Sequence, residues 1–306
     1  MTDISCMQMD VRIYNTNTNR IVIETVALDG FGDYEEDGSF IIPGVSTPGS
    51  EVKCKFVEPS GSMTGHLFPS EKQQQVLRVP PQSLGTGQEP FDVRVTLIDS
   101  ANPFVLVDAT SISTALVATI PSESSRNSIV ESIRRAGAVA MGLASDVETA
   151  ATTRGTPKVA LVYPPTVPHG SHKGGKPDIR IQAYSMGRPH PSLQLTGAVT
   201  VAVALSNPDT IVADLSTRPQ AVSADGTPFT TPLTPDQSPP PEREMKHDSP
   251  SEREVLIEHS KGTIKVGVAL GNNGGVGSCA VSRTARRLFE GKVRYYTSEG
   301  ETEMVE

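Results

Sequence analysis

Hydroxyl, imidazole and amide side chains stand close to glycine at several points of this sequence, and such groups can bind an anion. Ser185, Met186, Gly187 and His190, for example, separate a strand-like segment from an apolar one. Hydroxyl, imidazole N–H and exposed backbone N–H groups are donors suited to a carboxylate. The candidate binding residues are Ser62, Thr64, Gly65, Asn102, Ser185, Met186, Gly187, His190, Thr196 and Gly197. An ordinary structural turn is the alternative in each case, and the residues alone leave both interpretations open.

Metal chemistry and an arginine clamp have weaker support in the sequence. His169 and His172 are spaced i, i+3, but they lie in a Gly- and Lys-rich loop without further ligands, so we expect a polar loop there. No C-x-x-C or H-E-x-x-H spacing occurs, and we therefore expect no metal. Arg283, Arg286 and Arg287 are suited to bidentate carboxylate binding, but they lie on a predicted helix whose basic face we expect to be solvated.

Length and charge restrict the class of protein. The 306 residues are enough for two domains, and the formal net charge is -8. An acidic chain has no excess positive charge with which to neutralise phosphates, so neither nucleic acid nor an anionic membrane is an expected partner. Small anionic substrates remain compatible with this charge, because basic pockets can form on an acidic surface.

The cysteines and the apolar segments predict a cytoplasmic protein. Cys6, Cys54 and Cys279 form an odd and sparse set, which argues against a disulfide framework and for a reducing compartment. The first residues contain neither an apolar run nor a basic leader, and no segment is apolar over the ~18 residues that cross a bilayer.

Period-two alternation predicts most of the secondary structure. The strand-like segments are a hairpin over 10–28, strands at 51–59, 76–81, 91–98, 104–108, 158–165 and 178–186, a hairpin over 254–270 around Ser260-Lys261-Gly262, and a final strand KVRYY. GNNGGVGS (271–278) is predicted to be a mobile loop. The alternation indicates a protein dominated by sheet.

Helical periodicity is found in fewer places. Residues 124–143 predict a helix capped by Ser124 or Ser125, a short helix is expected at 145–152, and 280–291 predicts a helix that Gly291 ends. LTGAVTVAVAL (195–205) is apolar throughout, so its pattern does not distinguish a buried strand from a buried helix. Residues 215–253 are rich in Pro, Ser, Thr and charge, and we expect a disordered insert there.

An ordered set of segments resembles one family. The segments are VRIYNTNT (11–18), PGVSTPGSEVKCKFVEPSGSMTGHLFPS (43–70), IDSANPFVLV (98–107), IRRAGAVAMGLA (133–144), PKVALVYPP (157–165), DIRIQAYSMGRPHPSLQLTGAVTVAVA (178–204) and AVSRTARRLFEGKV (280–293). This set resembles the PrpF-like isomerases, which include 2-methylaconitate isomerase, methylitaconate isomerase, aconitate isomerases and 4-oxalomesaconate tautomerase. The resemblance covers nearly the whole chain apart from residues 1–10 and the insert, and it does not specify the substrate.

The resemblance implies an α+β fold similar to that of diaminopimelate epimerase. In this fold two pseudo-symmetric lobes each wrap a sheet around a central helix, and the active site lies in the cleft between them. Residues 1–90 would form an incomplete first lobe. Residues 91–306 would form the second lobe, with the disordered insert and a C-terminal segment that returns to the first lobe. LTGAVTVAVA is then a central helix, and its N-terminus favours anions in the cleft.

The reaction implied by the resemblance is an allylic proton shift. A base removes a proton near a carboxylate, and fixed donors stabilise the charge that develops. The family needs neither cofactor nor metal, so we expect none. Ser185 and His190 would bind a substrate carboxylate. Leu195 and Thr196 stand where related epimerases have a second cysteine, so racemisation by two cysteines is not expected.

The resemblance also implies residues that this sequence lacks. Family members carry a catalytic lysine and a Cys-Gly-Asn type motif before the first hairpin, and neither is found here, since Cys6 has no neighbouring Gly-Asn. We therefore expect an N-terminally truncated chain without its catalytic base.

Three functions stay open. The first is an isomerase of an unsaturated di- or tricarboxylic acid such as an aconitate. The second is a catalytically inactive homologue that binds carboxylates or pairs with an intact paralogue, and the third is an unrelated binding module. The expected partners are a small carboxylate substrate and either a second copy of the chain or a partner that supplies the missing lobe.

Overall fold

The structure, a computed structural model, describes residues 7–80, 89–112, 122–165, 175–216, 253–271, 274–296 and 302–305. Almost all of the predicted insert at 215–253 lies outside the described residues, as do His169, His172 and Cys6.

One large mixed sheet contains most of the strands. They are β1 (Met7–Asn15), β2 (Arg20–Leu28), β3 (Glu51–Val57), β4 (Gln75–Val79), β5 (Phe91–Ser100), β6 (Asn102–Asp108), β7 (Lys158–Tyr163), β8 (Ile179–Ser185), β9 (Arg188–Pro189), β10 (Arg253–His259), β11 (Gly262–Leu270), β12 (Val276–Thr284), β13 (Val293–Tyr296) and β14 (Thr302–Val305). The sheet order is β1-β2-β3-β12-β11-β10-β8-β7-β6-β5-β4, with β9 paired to β8, while β13 and β14 form a separate pair. All the strands that alternation predicted are present.

The described helices are few and mostly short. They are α1 (Glu123–Ala140), α2 (Val147–Thr152), α3 (Leu195–Leu205) and α4 (Ile211–Leu215), with one 3-10 turn at Ala109–Ser111. In the parts of the chain that the structure describes, no helix is long and apolar enough to cross a membrane. The predicted cap of α1 at Ser124 or Ser125 is wrong. Ser122 has the extended backbone of an N-cap, and its hydroxyl accepts from the Ser125 N–H at 3.2 Å.

Helix α3 is the centre of the fold. Every residue from Gly197 to Leu205 is buried, and the core around α3 contains residues of β5 to β8 and of β10 to β12. A lone strand at this position would leave its N–H and C=O groups without partners, whereas a helix satisfies them internally. This difference explains why an evenly apolar segment that the pattern left open forms a helix. The predicted fold class, α+β with a sheet around a central helix, is confirmed.

The sheet curves until two distant parts of it meet beside α3. An isolated bridge joins Ser60, just after β3, to Ser100 at the end of β5. The hydroxyl of Thr200, halfway along α3, donates to the Ser100 carbonyl at 2.5 Å. The bridge and the hydrogen bond fix the helix against the β5–β6 turn.

The opposite face of the sheet is covered by α1. A second core cluster joins the outward side chains of β4 to β7 to the apolar stripe of α1, including Ile129 and Ile133. Gly137 of α1 lies so close to β6 that an added Cβ would be 2.3 Å from Val105 Cγ2. The outer layer is therefore packed as closely as glycine allows.

The predicted helix over 280–291 is wrong. Residues up to Thr284 continue β12, which pairs with both β3 and β11, and residues 285–292 form neither helix nor strand. Cys279 and Val281 are buried in the core around α3, as alternation in a strand requires. Loop 271–278 is correspondingly shorter than predicted, because β12 begins at Val276.

The hairpin of β1 and β2 has a poorly covered apolar side. Met7, Met9, Val11 and Ile13 alternate along β1 and are 54, 46, 38 and 39% exposed. These strands pair through β3 with β12, so the first segment belongs to the same sheet as the rest. The division into lobes at residues 90 and 91, and a partner for the first of them, remain predictions.

Candidate active site

The N-terminus of α3 opens at one end of the curved sheet. Gln194 is its N-cap residue and makes no side-chain capping bond, and its Nε2 instead donates to the Tyr184 carbonyl at 3.2 Å. The first N–H groups of a helix have no acceptor within it, and Thr196 is only half-buried, so this end can receive an anion.

Lys158 lies at the same end of the sheet, and sequence analysis did not select it. It begins β7, where its register partner in β6 is Phe104, and an added Cβ on Gly197 of α3 would be 3.0 Å from Phe104 Cζ. Because side chains alternate along a strand, Lys158 shares a face of β7 with Ala160 and Val162, which pack in the core around α3. Among the described residues its ammonium has no ion-pair or hydrogen-bond partner. Burial lowers the pKa of Lys158.

Arg283 is the second cation near α3. It lies in β12 two residues after the buried Val281, and its Nη2 is 3.4 Å from the carbonyl oxygen of Leu193, just before the helix. Burial lowers the pKa of Arg283. Its neighbours Arg286 and Arg287 are exposed, and Arg287 pairs with Glu36 and Glu290. Of the three arginines considered as carboxylate ligands, only Arg283 is half-buried near α3.

Two histidines accompany Arg283. Burial is the largest cause that lowers the pKa of His259, and the charges of Arg283 and His190 lower it further. His190 was predicted as a carboxylate ligand. Its Nδ1 lies 2.9 Å from the Ser192 carbonyl and 3.2 Å from the Ser192 nitrogen, so this ring atom is engaged within the turn before α3.

The thiols of the described residues are held in their protonated form. Burial, and then the neighbouring Glu24 carboxylate, raises the pKa of Cys54 to about 11. Burial raises the pKa of Cys279 to about 12. Neither thiol is therefore a base or nucleophile at neutral pH.

The loop Gly61–His66 contains three predicted ligands, and its donors bind a carboxylate of the chain itself. Asp99 is fully buried and accepts from the Ser62 hydroxyl, from the Met63 N–H at 2.8 Å, and from Thr64 through its N–H at 2.6 Å and its hydroxyl at 2.8 Å. The loop is thus a carboxylate-binding motif occupied by Asp99. Gly65 supplies a positive φ of 81° at its far side. A role for these residues towards substrate remains a prediction.

Ser185, Met186 and Gly187 form the tight turn between β8 and β9. Met186 and Gly187 have φ values of 53° and 76°, and the Met186 carbonyl accepts from Arg154 at 2.9 Å. Strands β7 and β8 are antiparallel, and Val159 pairs with Tyr184. The turn after β8 therefore lies at the same end of the sheet as Lys158, the first residue of β7. The predicted turn is present at the α3 end of the sheet.

The remaining predicted residues lie beside α3. Asn102 starts β6 and donates to the Pro103 carbonyl at 3.2 Å, and Thr196 uses its carbonyl to accept from Thr200. Gly197 packs closely against Phe104 and Leu193. Close packing, the alternative to anion binding, is therefore present at Gly197. It does not occupy the N–H groups at the start of α3.

Comparison with known proteins places the chain in a family. A family model described as PrpF protein matches residues 3–224, well over half of the chain. The chain belongs to the PrpF family. The resemblance noted in the sequence is confirmed, and only its last segment, 280–293, lies beyond the matched range.

Curated relatives in the PrpF family are named as isomerases. The 2-methyl-aconitate isomerase of Shewanella oneidensis is 30% identical over 299 residues, which are 93% of this chain and 65% of that protein. The enzyme of the same name from Cupriavidus necator is 29% identical with the same coverage, 93% and 65%. The chain thus spans less than two thirds of the length of these relatives.

A solved structure shares the fold. The crystal structure of methylitaconate-delta-isomerase superposes with a TM-score of 0.63 over 95% of this chain and 67% of that one, at 23% sequence identity. The architecture around α3 is therefore that of a known PrpF-like structure.

Proposed function

We propose that this protein is an isomerase that moves a carbon–carbon double bond in an unsaturated di- or tricarboxylic acid such as an aconitate. The proposed reaction needs no cofactor. The names of the relatives support the reaction class. Besides the two 2-methyl-aconitate isomerases, they include the (4E)-oxalomesaconate Delta-isomerase of a Novosphingobium strain and the 3-methylitaconate isomerase of Eubacterium barkeri. Each name denotes an isomerase of an unsaturated acid with several carboxylates.

The convergence of Lys158, Arg283 and the N-terminus of α3 carries the proposal. Among the described residues neither cation has a carboxylate partner, and no side chain caps the N-terminus of α3. A polycarboxylate needs such a set, because each carboxylate must exchange its hydration shell for fixed donors. The half-buried position of Arg283 strengthens its attraction for an anion relative to an arginine in bulk water.

The same donors serve the chemical step. Removal of a proton next to a carboxylate moves negative charge onto the carboxylate oxygens, and return of the proton at the other end of the allylic system moves the double bond. Donors that already point at these oxygens stabilise the charge without rearrangement. We assign this role to the α3 N-terminus and Arg283, with Ser185 and His190 as further carboxylate ligands at the rim.

We assign the proton transfer to Lys158. Its amine has no hydrogen-bond or ion-pair partner among the described residues, and Lys158 begins a strand beside the β6 residue that packs on α3. The resemblance instead implies a lysine in a segment before the first hairpin. A Lys158→Gln substitution distinguishes the two when binding is measured beside exchange. If Lys158 moves the proton, exchange is lost at saturating acid, and if the base lies elsewhere, exchange persists at saturating acid.

The test is an NMR assay in deuterated buffer. The purified chain is incubated with cis-aconitate, 2-methylaconitate or methylitaconate, with the Shewanella relative as positive control. Deuterium at the allylic carbon or formation of an isomer supports the proposal. A folded chain that binds these acids but leaves all of them unexchanged contradicts it, and supports the alternative of a carboxylate-binding protein without catalysis.

A further inference from the structure

A second polar cavity lies on the outer side of the sheet, away from α3. It has a volume of about 620 Å³ and lies between the first turns of α1 and the outward side chains of β7 and β8. Its floor and walls include Arg126, Asn127, Tyr163, Arg180, Gln182 and Tyr184. We call this cavity the outer groove. Sites for small molecules commonly have volumes of about 300–1,000 Å³, so the size suits a metabolite.

Two arginines of the outer groove form no ion pair with any carboxylate of the described residues. Arg180 is half-buried over the ring of Tyr163, with Cζ 4.6 Å from the ring centroid, and its Nε is buried without a hydrogen-bond acceptor. Arg126 forms no ion pair within the described residues, and its charge acts to lower the pKa values of both tyrosines against the larger effect of burial. Burying a guanidinium without a hydrogen-bond acceptor or a countercharge is unfavourable. An anion bound to Arg180 would supply both.

Two other arginines of the sheet and of α1 do have carboxylate partners. Arg134 binds Glu131 at 2.8 Å, and Arg94 binds both Asp108 at 3.1 Å and Asp214 at 2.9 Å. Arg126, which is exposed, and Arg180, which is half-buried, differ from these two arginines because neither has a carboxylate partner among the described residues.

Further groups in the groove are suited to a polar ligand. The Oδ1 atom of Asn127 is buried without a donor, and the hydroxyls of Tyr163 and Tyr184 have no partner among the described residues. The acidic residues Glu123 and Glu258 also line the cavity. Glu123 is exposed in the first turn of α1. Glu258 is the register partner of Arg180 in β10, but the two form no ion pair, and Glu258 has another interaction. They limit the net positive charge, which favours a small ligand over a polyanion.

We propose that the outer groove is a second binding site, for a small organic oxyanion that carries a carboxylate or a phosphate and is held by Arg180 and Arg126. Guanidinium groups bind both kinds of oxyanion in a bidentate manner, so the test includes both. Most of the site lies across the sheet from α3, with His259 at one edge of it, and the inference is independent of the proposed reaction.

Titration calorimetry and NMR test the proposal on the full chain. Inorganic phosphate and tricarballylate, a saturated tricarboxylate that cannot isomerise, are titrated separately. The Arg180 Nε–H signal in a ¹⁵N spectrum reports on the groove. We expect this signal to move with one of the probes at millimolar concentration or below, and the probe that moves it identifies the acid group.

Matched variants separate this site from the one at α3. Arg180→Gln and Arg126→Gln should each weaken binding at the groove at least tenfold while leaving the response of α3 amides unchanged. Arg78→Gln, an exposed arginine on β4 that is 60% accessible, is the control and should change neither. The proposal is overturned if neither probe moves the Arg180 signal, or if Arg180→Gln folds and binds both probes as the wild type does.

Discussion

The guanidinium Nη2 of Arg283 lies 3.4 Å from the carbonyl oxygen of Leu193, so a cation from β12 reaches the residue that precedes the central helix by two positions. This contact joins a strand late in the chain to the helix end that the fold leaves open. It gives the candidate site a fixed positive group beside the free N–H groups of α3.

Arg283→Gln should weaken carboxylate binding at this end. Hydrogen bonds to charged groups contribute about 1.5–3 kcal/mol, which corresponds to a loss of affinity of roughly tenfold to a hundredfold. Arg286→Gln, three residues further on and exposed, is the matched control and should bind as the wild type does. Equal affinities of both variants for tricarballylate would show that Arg283 is not a ligand.

Lys158 should make the stability of the protein depend on pH. Burial lowers the pKa of its ammonium in the folded state. Between that folded pKa and the unfolded value of about 10.4, the unfolded chain therefore binds more protons than the folded chain. The free energy of unfolding therefore rises with pH through this window. Lys158→Met should remove this rise and increase stability below the folded pKa.

Urea unfolding at several alkaline pH values measures this effect. Lys53→Met provides the comparison, since Lys53 is exposed and its substitution should leave the slope unchanged. If the free energy of unfolding of Lys158→Met rises with pH as steeply as that of the wild type, another group causes the pH dependence.

Asp99 should be essential for the order of the loop Gly61–His66. Asp99→Ala removes the acceptor of the buried Ser62 hydroxyl and of the part-buried N–H groups of Met63 and Thr64, at a cost of about 1–3 kcal/mol in the free energy of unfolding. Asp99→Asn should cost less, because the Ser62 hydroxyl can turn round and accept from the amide. Denaturant unfolding of both variants checks this order, with exposed Asp92→Asn as control. Equal stability of Asp99→Ala and the wild type would contradict it.

Gly137→Ala should destabilise the layer between α1 and the sheet. Its Cβ would lie 2.3 Å from Val105 Cγ2 in a fully buried position, and overpacking of this kind costs about 1–3 kcal/mol. Gly155→Ala is the control, because nothing lies within 4 Å of its added Cβ. If Gly137→Ala melts at or above the temperature of the control, α1 can move away from Val105 without loss of stability, which would contradict the prediction.

Local pattern was sufficient for much of this fold. Alternation located the strands because most have one face on a core, and Gly-containing turns separated them. The segment 195–205 remained ambiguous, since an element buried on all sides has no period to detect. The wrong helix at 280–291 has residues with good helix propensity, such as Ala285 and Leu288, but pairing of its first part with β3 and β11 overrides that preference.

The candidate site depended more strongly on long-range pairing. Lys158 begins a run that is apolar on both faces, so its hydrophobic pattern did not show which face packs on α3, and the observed packing and the register with β6 were needed. Arg283 did have a signal, because it continues the alternation of Cys279 and Val281. Ser62 and Thr64 were predicted as ligands of a substrate carboxylate, but sequence could not reveal that the carboxylate of Asp99 already accepts from their hydroxyls.

The most direct test of the central claim is a titration of the ¹⁵N-labelled chain with tricarballylate. Binding at the open end of α3 predicts that the largest saturable shifts include the backbone amides of Leu195, Thr196 and Gly197, and that Arg283→Gln reduces them. Shifts confined to other parts of the chain, or α3 amides that do not move at saturating acid, would contradict the placement of the carboxylate site.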